Sequence, residues 1–202
     1  MLDTSIRRHI DPWLDRAAVR LAAAGLTANG VTWTGFALGM LAACLIATGW
    51  TWTGAIMLLI SRICDGLDGA VARHSGGGTD LGGLLDIVLD FAFYGAIPLA
   101  FIILDPAANG VAGAVLLFTF YVNGASFLTF ALMAEKQGLA EVERGSKSLH
   151  YTVGLTEATE TICAFVLFCL FPTWFAVLAY IYAAMVVWTT ISRFVLAYRT
   201  FG

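Results

Sequence analysis

Four aspartates stand as two pairs inside stretches that are otherwise apolar, and this pattern limits the folds open to the chain. They follow the spacing D-x2-D-G-x2-A-R-x8-G-x3-D-x3-D and are Asp65, Asp68, Asp86 and Asp90. Residues three or four apart share one face of a helix, so each pair lines one helical face. Carboxylates held close together in a poorly solvated setting repel one another unless cations neutralise them. We therefore expect two antiparallel helices that present all four carboxylates to one gap containing metal.

Composition places those helices in a membrane. Of the 202 residues, 59% are hydrophobic and 12% are charged, and the mean hydropathy is +0.83. An ordinary soluble domain has about 25% charged residues, and one membrane span takes about 20 apolar residues. The chain is therefore predicted to be an all-α, polytopic membrane helix bundle with room for roughly six spans. The net charge of −3, with no continuous basic stripe, argues against nucleic acid as a partner.

The pattern along the chain predicts an amphipathic helix followed by six transmembrane helices. The N-terminal helix, at residues 11–24, has Asp11 as its N-cap and Pro12 in its first turn, and its apolar stripe is expected to lie on the membrane. The predicted spans cover residues 31–50, 52–72, 81–104, 111–134, 152–171 and 174–197. This division makes residues 1–30 a cytoplasmic helix and turn, and residues 31–202 a six-helix transmembrane domain that carries the aspartates.

Basic residues predict the orientation of the bundle. In this arrangement one side carries Arg7, Arg8, Arg16, Arg20, Arg73, Lys136, Arg144, Lys147 and Arg199, while the short connections of the other side carry no Lys or Arg. Cytoplasmic connections of membrane proteins are enriched in Lys and Arg. We therefore expect a multi-pass protein of the cytoplasmic (inner) membrane, with both termini in the cytosol and the aspartates open to the cytosol.

Small residues and one guanidinium accompany the aspartates. Small side chains allow the two helices to approach closely or leave space for a ligand between them. The small residues here are Gly66, Gly69, Ala72, Gly82 and Gly83. Hard carboxylate oxygens suit Mg²⁺ or Mn²⁺, and four of them fit a two-metal site about 3.5–4 Å across, which serves in-line phosphoryl displacement. Arg73, one turn beyond Gly69, has the fork geometry that holds phosphate oxygens. The residues therefore point to a diphosphate substrate.

These residues also resemble a known family signature. The stretch 65–73, followed by Gly82, Asp86 and Asp90, is similar to the complete motif of the CDP-alcohol phosphotransferase (CDP-alcohol phosphatidyltransferase) family of integral membrane enzymes. The layout of six spans after a surface helix extends the resemblance over almost the whole chain. The resemblance implies a homodimeric transferase of phospholipid biosynthesis. Such an enzyme moves a phosphatidyl or similar group from a CDP-alcohol donor, such as CDP-diacylglycerol, to a small alcohol acceptor and releases CMP.

The resemblance also implies roles for individual residues. The four aspartates would bind two divalent cations, Mg²⁺ or Mn²⁺, and Asp90 would also be the general base that deprotonates the acceptor hydroxyl. The residues implied to contact the nucleotide or its diphosphate are Gly69, Ala72, Arg73, Thr79, Asn29 and Thr32. The turn that contains Asn29 often reads Pro-Asn in the family, and here Ala28 takes the place of the proline.

The acceptor is indicated less directly. Glu157 and Glu160 lie one turn apart early in the fifth predicted span, where ionisable groups are functional candidates, so they are expected to bind acceptor hydroxyls. The alternative is that they pair with Arg62, Arg193 or Lys147 and stabilise the bundle. The basic residues of the loop at 135–150 alternate with glutamates, which favours an acceptor without its own phosphate.

Other classes of membrane protein also use intramembrane aspartates. A cation channel or transporter has no evident need for Arg73 and the small residues at this spacing. Membrane prenyltransferases bind diphosphates through two separate Asp-rich motifs on a longer bundle, and this chain has one. A catalytically silent relative would have no reason to keep every motif position. Metal-dependent release of CMP from a CDP-lipid distinguishes a transferase from all three.

Overall fold

The described part of the chain is entirely helical. The computed structural model describes the backbone of residues 2–75, 77–138 and 156–202, and their side chains from residue 13 onward. Within these ranges the elements are α1 (Leu2–Ala23), α2 (Ala28–Ala47), α3 (Thr51–His74), α4 (Asp80–Leu104), α5 (Pro106–Lys136), α6 (Ala158–Leu170), a 3₁₀ turn (Pro172–Trp174) and α7 (Phe175–Phe201). The predicted all-α class is confirmed.

Four segments of the described ranges are long and apolar enough to cross a membrane. They are α2, α4, α5 and the segment Pro172–Phe201, and they correspond to the first, third, fourth and sixth predicted spans. The second predicted span corresponds to α3, which is less apolar because Arg62, Asp65 and Asp68 lie within two turns. The fifth corresponds in part to α6, which has 13 residues, and residues 152–155 of that predicted span lie outside the described ranges.

The N-terminal helix is longer than the sequence pattern predicts. It begins at Leu2 rather than at Asp11, so Pro12 lies inside α1 instead of in its first turn. Proline has no backbone N–H, so this position contributes no helical hydrogen bond, yet the helix continues on both sides. Part of the apolar stripe of α1 faces the protein: Ala18 is fully buried in a small cluster with Val31, Ala70 and Val71, whereas Trp13 is 69% exposed. This contact packs α1 across the C-terminal part of α3.

Aromatic side chains fill the core between α4, α6 and α7. Phe93, Phe101, Phe165 and Phe175 are fully buried. The rings of Phe101 and Phe175 stack with centroids 4.6 Å apart, and Phe93 meets Phe165 edge-on at 6.1 Å. Aromatic pairs of this kind add to the packing that orders the helices. Because Phe93 lies one turn beyond Asp90, this core fixes the position of the α4 aspartates.

A close contact of α2 with α3 and α4 completes the framework. An added Cβ on Gly39 would lie 2.7 Å from Cδ2 of Phe93 and 3.0 Å from Oγ of Ser61, so only glycine fits at this crossing. The Ser61 hydroxyl donates to the carbonyl of Gly35 at 2.6 Å. Small residues at membrane helix contacts permit such backbone approach. The crossing places the next residue of α3, Arg62, in front of α4.

Candidate active site

Three of the four aspartates form one cluster between α3 and α4. Carboxylate oxygens of Asp65, Asp68 and Asp86 all lie within 4.8 Å of one another. Asp68 is buried, Asp65 is half-buried and Asp86 is exposed, so the cluster runs from the interior to an open side. The helical spacing seen in the sequence thus brings residues of two helices to one gap.

Asp68 is the most constrained carboxylate of the cluster. Its Oδ2 accepts a hydrogen bond from the Thr32 hydroxyl of α2 at 2.7 Å, and its Oδ1 accepts from the backbone N–H of Gly69 at 2.6 Å. Hydrogen bonds from fixed donors orient a ligating carboxylate and are typical of the surroundings of metal sites. Thr32 therefore serves the carboxylate directly, although the sequence resemblance assigns it to the nucleotide.

Asp90 lies at the edge of the cluster and is held by a cation. Its Oδ1 accepts from Nη1 of Arg62 at 2.8 Å, and the same nitrogen lies 3.4 Å from Oδ1 of Asp65. The Arg62 side chain is 8% exposed and the Asp90 side chain 29% exposed. Arg62 thus joins the carboxylate of α4 to the first carboxylate of α3.

The donor set fits hard divalent cations. Three carboxylates with oxygens within 4.8 Å offer the all-oxygen environment that Mg²⁺ and Mn²⁺ prefer. Each ionised carboxylate has about four lone-pair sites, so the hydrogen bonds to Asp68 leave sites for a metal. Asp65, Asp68 and Asp86 are the residues that would hold an ion, whereas Asp90 contacts Arg62.

Arg73 lies beside Gly69 and is paired with α1. Its Nη1 lies 3.9 Å from the point that a Cβ on Gly69 would occupy, and its Nη2 donates to Oδ1 of Asp15 at 3.0 Å. Both side chains of this ion pair are largely exposed, and exposed pairs contribute only about 0–1 kcal/mol. Release of Arg73 to a phosphate would therefore cost little. Ala72, half-buried beside it, accepts the backbone N–H of Gly77 at 2.9 Å.

The N-termini of α2 and α4 meet next to the cluster. Thr79 is the N-cap of α4, and its hydroxyl accepts the backbone N–H of Gly82 at 3.0 Å. A Cβ on Gly82 would lie 3.2 Å from both the Thr79 hydroxyl and Oδ1 of Asn29. Two helix N-termini in one place favour a bound anion, because their free N–H groups and dipoles carry partial positive charge. The structure therefore brings Asn29, Thr32, Gly69, Arg73 and Thr79 to one side of the aspartates.

A cavity of about 620 Å³ opens on the other side of the aspartates. Its polar lining comprises Asp86, Asp90, Tyr94, Tyr121, Asn123, Thr156, Glu157, Thr161, Thr189 and Arg193. Nη1 of Arg193 donates to the carbonyl and Oδ1 of Asn123 at 3.0 and 2.8 Å and to Oγ of Ser126 at 2.7 Å. The cavity lining therefore contains carboxylates together with an oriented guanidinium.

The two glutamates predicted near the acceptor begin α6. Glu157 is the N-cap, and its backbone N–H donates to Oε2 of Glu160 at 3.2 Å in a capping box. Glu157 also lines the cavity. Arg62 and Arg193, the partners considered in the alternative interpretation, direct their hydrogen bonds to Asp90 and Asn123. Lys147 lies outside the described residues.

Sequence reasoning missed the site roles of two arginines. Arg62 stands three residues before Asp65 on the same helical face, so the spacing contained that signal. Arg193 lies inside the sixth predicted span, where an ionisable residue is a functional candidate by default. Its proximity to Asn123 of α5 and to the cavity depends on tertiary packing and has no local signal in the sequence.

Comparison with known proteins identifies relatives over nearly the full chain. The sequence model described as CDP-alcohol phosphatidyltransferase matches residues 25–195. Inner membrane protein YnjF of Escherichia coli (strain K12) is 45% identical over 200 residues, which cover 99% of this chain and 97% of that protein. An archaetidylinositol phosphate synthase of Methanothermobacter thermautotrophicus is 32% identical over 157 residues, which cover 78% of this chain and 69% of that enzyme.

Solved structures share the fold. The crystal structure of Mycobacterium tuberculosis phosphatidylinositol phosphate synthase (PgsA1) with CDP-DAG bound superposes with a TM-score of 0.71 at 23% identity. The match covers 90% of this chain and 91% of that chain. The same protein in complex with manganese and citrate superposes with a TM-score of 0.66 at 22% identity, over 90% of this chain and 87% of that one.

Proposed function

The chain belongs to the CDP-alcohol phosphatidyltransferase family, as its motif predicts, and we propose that it transfers a phosphatidyl or similar group from a CDP-alcohol to an acceptor alcohol. The observation that carries this proposal is the cluster of three carboxylates within 4.8 Å of one another, beside a cavity that Asp86 and Asp90 line. One side of the cluster carries groups suited to a diphosphate, and the other has room for a second substrate.

The proposed donor is a CDP-linked lipid such as CDP-diacylglycerol, and the relative solved with CDP-DAG bound supports this choice. Arg73 and the N-termini of α2 and α4 would hold the diphosphate, and Gly69 and Gly82 leave the space that it needs. Asp65, Asp68 and Asp86 would hold one divalent cation, and Asp90 would share a second. When bound, Mg²⁺ or Mn²⁺ supplies Lewis-acid stabilisation of negative charge on the diphosphate.

Asp90 is the proposed general base. Its Oδ1 is held by Arg62, and the residue lines the cavity, so its carboxylate is directed between the cluster and the space for an acceptor. The acceptor hydroxyl gives its proton to Asp90 while its oxygen forms a bond to the β-phosphorus of the donor. The bond from that phosphorus to the bridging oxygen breaks, and CMP leaves with the bridging oxygen on the opposite side.

The proposed acceptor site is the cavity of about 620 Å³, which is large enough for a polyol. Arg193 is half-buried and oriented by Asn123 and Ser126, and a guanidinium fixed in this way is suited to a phosphate group. The names of two relatives include inositol phosphate, which agrees with such an acceptor. We therefore favour a polyol phosphate, in contrast to the expectation from the loop at 135–150.

The proposed setting is the inner membrane, with six spans, the surface helix α1 and both termini in the cytosol. The four apolar segments and the relative named as an inner membrane protein support a multi-pass arrangement. In this proposal α3 and α6 belong to the two further spans. Residues 1–30 are then the cytoplasmic helix and turn, residues 31–202 the catalytic domain, and the working unit a homodimer.

One experiment tests the function and the acceptor together. Purified protein receives CDP-diacylglycerol and Mn²⁺ with inositol phosphate, glycerol phosphate, inositol, glycerol, serine or choline, and CMP and the lipid product are measured by mass. We expect Mn²⁺-dependent CMP release with a phosphorylated polyol. Release only with an unphosphorylated alcohol would refute the assignment of Arg193, and a lack of CMP with every acceptor would refute the transferase proposal for these donors.

A further inference from the structure

Arg62 is a buried cation inside the carboxylate site. Its side chain is 8% exposed, and Nη1 contacts Asp90 at 2.8 Å and Asp65 at 3.4 Å. A buried guanidinium is costly to desolvate, and it persists where carboxylates compensate its charge. The family motif, which starts at Asp65, does not include this position. A fixed positive charge therefore stands beside two prospective metal ligands, outside the motif that carries the chemistry.

The surroundings hold the guanidinium in one orientation. Its Cζ lies 3.8 Å from the centroid of the Phe93 ring, and Nη2 donates to Oγ of Ser61 at 3.2 Å. Ser61 is in turn fixed by its hydrogen bond to the carbonyl of Gly35. Nε of Arg62 is buried and has no hydrogen-bond partner among the described residues. The side chain keeps this position despite an unsatisfied donor, so its contacts with the two carboxylates govern where it sits.

We propose that Arg62 is a positioning residue that acts as an internal counter-cation: it holds Asp90 ready as the base and limits how tightly the site binds divalent metal. This inference rests on the proposed function for the role of Asp90. The guanidinium engages Oδ1 of Asp90, which leaves the second oxygen for the acceptor proton or a metal. Its charge also keeps Asp65 and Asp90 together when metal is absent.

Two opposite effects follow from this charge. A positive group a few ångströms from the metal position repels a dication, so loss of the charge should tighten Mn²⁺ binding. The same loss leaves buried carboxylates without compensation, so the metal-free protein should become less stable. A side chain that only filled space would produce neither the gain in metal affinity nor a dependence of the lost stability on metal.

The test compares the full-length protein with Arg62→Met, which keeps the length without the charge, and Arg62→Lys, which keeps the charge without the planar fork. Arg199→Met, at an exposed position of α7, is the matched control. Mn²⁺ binding is measured without substrate, from the Mn²⁺ dependence of the unfolding temperature and by direct titration. Circular dichroism checks that each variant is folded.

For Arg62→Met we expect a lower unfolding temperature without metal, a larger increase on adding Mn²⁺, and a half-saturating Mn²⁺ concentration lowered by about tenfold or more. At saturating Mn²⁺ its kcat for CMP release should fall by about 10²-fold with an unchanged KM for the donor, because the base is no longer held. Arg62→Lys should keep the half-saturating concentration within about threefold of the parent, because its charge remains. Arg199→Met should match the parent in both measurements.

Unchanged or weaker Mn²⁺ binding by folded Arg62→Met would overturn the proposal. The proposal also fails if Mn²⁺ does not recover the lost unfolding temperature, or if Arg62→Lys behaves like Arg62→Met in the metal titration. A parent protein that binds Mn²⁺ but releases no CMP would instead refute the proposed function, while the shift in metal affinity still tests the role of the charge.

Discussion

Replacing Thr32 by valine removes one hydroxyl from the carboxylate site and preserves the shape of the side chain. Thr32 is 9% exposed, and its Oγ lies 2.7 Å from Oδ2 of Asp68 and 3.0 Å from the carbonyl of Ala28. A hydroxyl has one proton to donate, and the shorter contact to a charged acceptor takes it. The substitution therefore leaves Asp68 with the N–H of Gly69 as its remaining donor among the described residues.

The magnitude follows from the type of hydrogen bond. A hydrogen bond to a charged group contributes about 1.5–3 kcal/mol, which corresponds to roughly 10- to 150-fold in an equilibrium constant. Loss of a group that orients a metal ligand typically lowers metal affinity or activity by about 10- to 100-fold. We therefore expect Thr32→Val to raise the half-activating Mn²⁺ concentration by about 10- to 100-fold.

The assay is CMP release from CDP-diacylglycerol as a function of Mn²⁺ concentration, with direct Mn²⁺ titration of the same preparations. Thr34→Val is the matched control, because Thr34 is exposed on the same helix and, among the described residues, its hydroxyl donates to the helical carbonyl of Gly30 at 2.8 Å. Thr32→Ser should recover most of the affinity, because it restores the donor. If Thr32→Val and Thr34→Val gave the same Mn²⁺ curve, the hydrogen bond to Asp68 would have no part in metal binding.

Three further outcomes are expected. Asp90→Asn should abolish CMP release yet still bind Mn²⁺ through the other three aspartates, and normal turnover in this variant would rule out Asp90 as the base. Gly39→Ala should lower the free energy of unfolding by about 1–3 kcal/mol, measured by denaturant titration, because its Cβ would meet Phe93 and Ser61. CDP-diacylglycerol should lower the Mn²⁺ dissociation constant, and by linkage Mn²⁺ should lower the donor dissociation constant by the same factor; a Mn²⁺ dissociation constant that does not change when the donor is added would contradict a shared site.

The helices and the pairing of the aspartates on helical faces can be predicted from the sequence, because both depend on local periodicity. Spacings of three and four residues place Asp65 and Asp68 on one helical face, and Asp86 and Asp90 on another, independently of the tertiary fold. Both helices pack on α2, and their acidic faces meet across one gap, where Arg62 of α3 contacts Asp90 of α4. The prediction started α1 at Asp11 because proline is common in the first turn of a helix. The structure starts α1 at Leu2, with Pro12 inside the helix, and a local rule cannot distinguish these two positions.

The hydrogen-bond and ion-pair partners of charged residues cannot be predicted from the sequence in this way. From the sequence, Arg62 could pair with the glutamates at the start of α6. In the structure, the crossing of α2 with α3 at Ser61 directs Arg62 to Asp90. Glu157 and Glu160 form a capping box, which only the start of α6 makes evident. The hydrogen bonds of Arg193 to α5 depend on how α5 and α7 pack. The arginine partners depend on distances between helices, and the capping box depends on where α6 starts. Spacing along the sequence gives neither.

Charge balance connects these partners to the proposed chemistry. Four carboxylates against the one guanidinium of Arg62 leave an excess of three negative charges in the site. One divalent cation leaves the site negative, and a diphosphate would then meet net repulsion, whereas a second cation makes the site positive. Because Arg62 already compensates one carboxylate, the second cation is needed chiefly when the donor adds its own negative charge. In the proposed mechanism the buried arginine would therefore make binding of the second cation depend on the donor, so that the reactive site would assemble only when there is a group to transfer.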